Sequence, residues 1–118
     1  MKTNSEKLLE KIIEGLQEKK GFNIIVMDTK HLRNPFSDYF VICSGNSDRQ
    51  VQALSDSVEE FTRKKTKEKP AHIEGFKNGE WVLLDYINIV VHIFQPQIRS
   101  FYNLEELWGD AIINKIPD

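Results

Sequence analysis

The run Trp81–Phe94, WVLLDYINIVVHIF, constrains the fold more than any other stretch of this chain. It is almost wholly apolar, yet it falls short of the roughly 18 residues that a membrane span needs, so it has to be buried inside a folded domain. A turn near Ile87-Asn88 divides it into two strands, Trp81 to Tyr86 and Ile89 to Phe94. Strand alternation then places Trp81, Leu83 and Asp85 on one face of the first strand and Val82, Leu84 and Tyr86 on the other. One face must pack on helices. If the other is left uncovered, an apolar and aromatic patch containing an acid has the character of a docking surface for a basic protein. Which face is which stays open, and the competing reading is that Trp81 is plain core.

The rest of the chain is well punctuated. Thr3-Asn4-Ser5-Glu6 has the spacing of a capping box, and Leu8, Leu9, Ile12, Ile13 and Leu16 follow as an apolar stripe of helical period. Lys19, Lys20 and Gly21 supply its C-terminal end. FNIIVMD (22–28) and DYFVICSG (38–45) predict two strands separated by a loop at Asn34-Pro35. Ser47-x-x-Gln50 opens a second helix with Val51, Leu54, Val58 and Phe61 on one face. A short strand, AHIEG (71–75), is joined to Trp81–Tyr86 through Asn78-Gly79, a strong hairpin signal that predicts antiparallel pairing. Asn103 is expected to cap a last helix carrying Leu104, Leu107, Trp108, Ala111 and Ile112 on one face, with Pro117 beyond its end. The order is helix, strand, strand, helix, three strands, helix. In a chain of 118 residues this predicts one domain of the α/β (α+β) class, a mixed five-stranded sheet covered by helices.

Charge and reactive residues limit the chemistry. The net charge of −2 argues weakly against a nucleic-acid backbone as the main partner. Its distribution is uneven. Arg63 to Lys69 is a basic run, whereas between Glu74 and Asp110 the acids Glu74, Glu80, Asp85, Glu105, Glu106 and Asp110 outnumber Lys77 and Arg99. An acidic part that also carries aromatics suits a basic protein partner; ordinary solvated surface is the alternative. The lone Cys43, inside YFVIC, reads as a core atom rather than a nucleophile. His31, His72 and His92 lack the spacing of a zinc site, and Asp85 and His92 pair on adjacent strands only if the turn between them has the right length. A nucleotidyl-transfer site built from the Ser44–Ser47 turn with Asp38 and Asp85 supplies a phosphate cradle but lacks the paired carboxylates that a bridging Mg²⁺ requires. It is the alternative function. The first residues, MKTNSEKLLEKIIEG, have neither an apolar signal core nor a transit-like composition, and the expectation is a bacterial cytoplasm.

Six runs in order carry a resemblance. They are Ser37–Ile42, Ser44–Ser47 with Arg49-Gln50-Val51, Glu74-Gly75, Trp81–Asp85, Val90-Val91-His92, and Phe101-Tyr102-x-Leu104-Glu105-x-Leu107-Trp108-x-Asp110-Ala111. Together they resemble the ribosomal silencing factor family, RsfS or Iojap. The resemblance implies a sheet related to nucleotidyltransferases without their catalytic carboxylates, and a protein that is not an enzyme and needs no cofactor or metal. It implies a binder of the large ribosomal subunit, through the fourteenth protein of that subunit, which blocks joining of the small subunit when nutrients run short. It also implies a homodimer when free, and no DNA or membrane partner. The residues expected to make the contact are Glu74, Trp81, Leu83, Asp85 and Asn88, with Arg99, Tyr102 and Asp110 near the last helix, while Arg63 to Lys69 are placed to touch ribosomal RNA at the edge of the site. One departure stands out, for the family usually has Gly-Asp where this chain has Ile87-Asn88.

Overall fold

The computed structural model describes residues 1–32, 37–107 and 109–117. The loop expected at Asn34-Pro35 and the side chain of Trp108 lie outside them. Helix α1 (Asn4–Glu18) starts with the capping box in place: Thr3 Oγ1 accepts the Glu6 N–H and Glu6 Oε1 accepts the Thr3 N–H. Its stripe buries Leu8, Ile12, Gly15 and Leu16. Helix α2 (Asp48–Thr66) is capped by Ser47, whose Oγ accepts the Gln50 N–H at 3.0 Å, and it buries Val51, Leu54 and Val58. The two helices lie against one another, with Ser57 Oγ donating to the Gly15 carbonyl at 2.7 Å.

Strands β1 (Phe22–Asp28), β2 (Tyr39–Ser44), β3 (His72–Glu74), β4 (Trp81–Asp85), β5 (Ile89–Phe94) and β6 (Ile112–Lys115) form one mixed sheet in the order β3-β4-β5-β2-β1-β6. Strands β2 and β5 run parallel, and every other pair is antiparallel, the β3–β4 hairpin included. All six residues of β2 are buried, as a central strand covered on both faces must be. Both long helices cover the same face. Beneath them Ile24, Val26, Val41, Cys43, Val82, Leu84, Tyr86, Val91 and Ile93 form the main core. The opposite face carries a smaller core of Ile25, Met27, Phe40, Ile42 and Phe94. The alternation of β4 is thereby resolved. Val82, Leu84 and Tyr86 face the helices, and Trp81, Leu83 and Asp85 face the other way, half-buried.

The C-terminal part differs from expectation. In place of one helix opening at Asn103, helix α3 (Pro96–Tyr102) begins at Pro96, whose fixed φ and missing N–H suit a first helical position. Asn103 ends that helix in the left-handed conformation, φ 46° and ψ 56°, which asparagine tolerates. Helix α4 (Leu104–Leu107) is a single turn. Ile112, expected on a helix face, instead belongs to β6, a sixth strand paired with β1. The β-branched pair Ile112-Ile113 suits that conformation once Gly109 and Asp110 have turned the chain.

The β4–β5 turn carries backbone strain. Ile87 adopts φ 74°, a left-handed conformation that a β-branched side chain disfavours, while its N–H donates to Asp85 Oδ1 at 2.7 Å and its carbonyl accepts from Ser37 Oγ at 2.9 Å. The side chain is 66% exposed and contributes little burial in return. Replacing Ile87 with Gly, which takes a positive φ without steric cost and keeps both backbone bonds, is expected to raise stability by about 1 kcal/mol. A urea denaturation midpoint that rises with unchanged slope confirms this; an unchanged or lower midpoint rejects it.

Candidate docking face

Directly opposed residues on paired strands point to the same side of the sheet. The β4–β5 register sets Trp81 against Phe94, Leu83 against His92 and Asp85 against Val90, and the β3–β4 register adds Glu74 beside Leu83 and His72 beside Asp85. On the inner side, Phe40, Ile42 and Ser44 of β2 lie against Val90, His92 and Phe94. This face runs from fully buried to fully open. Phe94 and Ile42 are inaccessible, Trp81, Leu83 and Asp85 are half-buried, and His72 and Glu74 are exposed. The gradient has a simple cause: α3 and α4 lay Ile98 and Leu104 on the inner core, and their cover thins out toward Trp81.

Trp81 sits at that boundary. Its ring stacks on Phe94 with centroids 4.8 Å apart and meets the half-exposed Tyr102 at 4.7 Å. Its indole N–H donates to His92 Nδ1 at 3.1 Å. That bond assigns the imidazole proton to Nε2. The Asp85–His92 pair is not formed, because the register offsets the two along the strands and the Asp85 carboxylate is used to hold the Ile87 N–H. His92 is 7% exposed between Phe40 and Phe94, and burial lowers its pKa to about 4. It is neutral at physiological pH.

The other expected contact residues divide. Glu74, with His72 Nε2 at 3.4 Å from its carboxylate, lies on the open part of the face, and Asn88 is exposed at the β4–β5 turn. Arg99 lies over the same face but is turned inward. Only 12% of its side chain is exposed, and Nη1 donates to the Asn23 carbonyl at 2.7 Å and to Ser44 Oγ at 2.8 Å, with Nε 3.6 Å from Glu105. It ties α3 to the sheet. Asp110 lies by the opposite edge, its carbonyl 3.0 Å from His31 Nε2 and next to β6, four strands and roughly 19 Å across the sheet from β4. Among the described residues, exposed apolar groups that the sequence does not single out include Phe101, edge-on to Tyr102, and Ile87 at the turn, and Leu107, expected on a packed helix face, is exposed as well. The Phe-Tyr pair after Pro96 was the available signal for the first.

The elements of the nucleotidyl-transfer alternative do not converge. Asp38 and Asp85 lie where β2 begins and β4 ends, at the end of the sheet that also holds the Ile87-Asn88 turn. The Ser44–Ser47 turn is at the other end of β2, roughly 17 Å away. Its polar groups are also engaged within the fold. The Gly45 N–H bonds to the Phe94 carbonyl, the Asn46 N–H to Gln50 Oε1, and Ser47 caps α2. Among the described residues no three His, Cys, Asp or Glu side chains come together as metal ligands, and no helix is long and apolar enough to cross a membrane.

Comparison with known proteins extends over the same length. A family model described as "Ribosomal silencing factor during starvation" matches residues 2–118. The chain is similar to "Ribosomal silencing factor RsfS" of Halalkalibacterium halodurans, 34% identical over 108 residues, which cover 92% of this chain and 91% of that protein. It is similar to the protein of the same name from Chromobacterium violaceum, 42% identical over 100 residues, covering 82% and 78%. Maize "Protein Iojap, chloroplastic" is 37% identical over 106 residues, 90% of this chain and 45% of that one. A crystal structure of a Chromobacterium violaceum protein superposes with a TM-score of 0.82 at 34% identity, covering 100% of this chain and 92% of that chain. One from Bacillus halodurans gives 0.76 at 30% identity, covering 94% and 97%.

The buried imidazole makes stability depend on pH. Its pKa, 6.5 in the unfolded chain and about 4 when folded, means that between these values the unfolded chain binds a proton that the folded one does not. Stability is therefore expected to fall as pH drops from 6.5 toward 4, by about 3 kcal/mol in total. Urea denaturation at half-unit steps tests this. A stability that stays flat down to pH 4.5, or one that rises, contradicts it.

Proposed function

The chain belongs to the ribosomal silencing factor (RsfS or Iojap) family, and from that premise we propose that it binds the large ribosomal subunit through the subunit's fourteenth protein, on the face where the small subunit docks. Joining of the subunits is then blocked by occlusion, and translation falls when nutrients are short. No bond is made or broken, so no cofactor is required. The observation that supports this reading is the uncovered half of the second sheet face. There Trp81, Leu83 and Tyr102 present apolar area while Asp85 and Glu74 set a negative rim. A half-buried aromatic anchored on a rigid sheet loses little side-chain freedom on binding, and this is where interface energy tends to concentrate. The acids favour a basic protein and exclude acidic ones.

The basic run fits the rim of the same complex. Arg63, Lys65, Lys67 and Lys69 are exposed, whereas Lys64 is paired with Glu60. The run adjoins the Asp85 end of the face, since Thr62 Oγ1 meets Tyr86 Oη at 2.8 Å and the Ala71 N–H bonds to the Asp85 carbonyl. Phosphate of ribosomal RNA beside the docked protein is its partner in this reading. The free protein is a homodimer of the bacterial cytoplasm, with the dimer surface overlapping the ribosomal one.

Sedimentation on gradients with large subunits, small subunits and joined ribosomes tests these statements together. The expected outcome is binding to large subunits alone, with joined particles declining as protein is added and free protein migrating as a dimer. Trp81→Ala should weaken binding about thirtyfold. Asp85→Asn, which keeps the acceptor for Ile87 and removes only the charge, should weaken it less and chiefly at low salt. Affinity should fall steeply with salt if the basic run touches phosphate, and a flat salt dependence removes that contact. Folded variants that bind as well as the parent chain would sink the assignment of this face, and no association with large subunits would sink the function.

A further inference from the structure

His92 is a polar group in a wall of hydrocarbon. Phe40, Phe94, Ile42 and Leu83 adjoin it, among the described residues burial and not a charged neighbour sets its pKa, and its centroid lies 6.1 Å from Phe40 and 6.0 Å from Phe94. A leucine or phenylalanine there would pack without the cost of removing an imidazole from water. The group that gains from the imidazole is Trp81. Trp81 stands opposite Phe94 in the register, so its indole reaches His92 along the diagonal between strands, where its N–H finds an acceptor at 3.1 Å. Satisfied there, the N–H is turned into the protein. The rest of the indole is carbon, in a half-buried residue next to the ring of Tyr102. Without the acceptor, an inward N–H would be buried and unpaired, and the ring would gain by turning to put it in water.

We propose that His92 is a positioning residue of the docking face: by accepting the Trp81 indole N–H it fixes which edge of that ring a partner meets. The partner then encounters a hydrocarbon edge with no donor, and recognition at this point is by shape and apolar contact, while polar selection is left to Asp85 and Glu74. The inference rests on the reading of this face as the ribosome-binding surface.

Five proteins test it: the parent chain, His92→Leu, Trp81→Phe, the double variant, and His92→Gln as the variant that retains an acceptor. Exchange of the indole N–H with water, followed by NMR, reports the bond directly, and affinity for isolated large subunits reports its use. His92→Leu is expected to expose the Trp81 N–H to exchange and to weaken binding about fivefold or more. His92→Gln should recover part of both. In the Trp81→Phe background, which has no donor, His92→Leu should add less than about twofold, since the residues act as a unit. Full independence of the two substitutions, or a His92→Leu protein that binds like the parent, overturns the proposal. If His92→Leu does not fold, nitrogen shifts of the parent imidazole decide: a bare Nδ1 with the proton on Nε2 sustains it and the reverse tautomer rejects it. Failure of the parent chain itself to bind large subunits rejects the function instead, and indole exchange in His92→Leu then tells whether His92 positions the ring.

Discussion

The parallel pairing of β2 with β5 governs the rest of this molecule. Two parallel neighbours cannot be joined by a tight turn, so the chain must leave the sheet, cross over and return. It does so through α2 and the β3–β4 hairpin, which places α2 over one face and adds β4 and β3 as the outer strands on that side. Helix α1 packs against α2, and both long helices are thereby committed to the same face. What remains to cover the other face is the short chain after β5. It reaches the inner strands, where Phe94 and Ile42 are sealed, and little further. The open aromatic and acidic surface is a consequence of this topology, in which the supply of helix ends before the sheet does.

Trp81 shows why the two readings of its role from sequence were not true alternatives. Its ring is core where it stacks on Phe94 and surface where it adjoins Tyr102. A residue at the edge of a covering layer is stabilised by the fold and offered to solvent at once. Rigidity of this kind suits recognition, because the side chain is already ordered before any partner arrives. The same logic separates Arg99 from its neighbours. Its length and charge resemble those of a contact residue, but its donors are used on Asn23 and Ser44.

Most of the framework was legible in the sequence because it is written in local signals. Thr3 with Glu6, Ser47 with Gln50, and the Asn78-Gly79 connection each fix a boundary through hydrogen bonds or backbone freedom within a few residues. The alternation in β4 marked the two faces correctly but not which one the helices would cover, since that depends on packing far from the strand. Residues 103–115 misled for a related reason. Asparagine serves at either end of a helix, and a short run such as Ile112-Ile113 takes its conformation from its neighbour, here β1, which lies at the other end of the chain. The acceptor role of His92 was hidden as well. It follows from a register that sets Leu83 opposite His92, and a turn one residue longer would have given a different partner. The family resemblance, carried by runs spread along the whole chain, placed the chain in its family where periodicity and charge indicated only a kind of surface.

The position of β6 has a temporal meaning. It forms the outer edge beside β1, so a strand made early is completed by one made roughly ninety residues later. While the chain is being synthesised, α1, β1 and β2 can assemble, but Ile25 and Met27 keep an open flank until residues 112–115 have emerged. Closing a contact over so long a stretch of chain costs more entropy than closing a local one, and such long-range pairing slows folding. Native closure of this sheet therefore waits for the final residues of β6, and a nascent chain stalled before them presents an unpaired strand to whatever lies nearby.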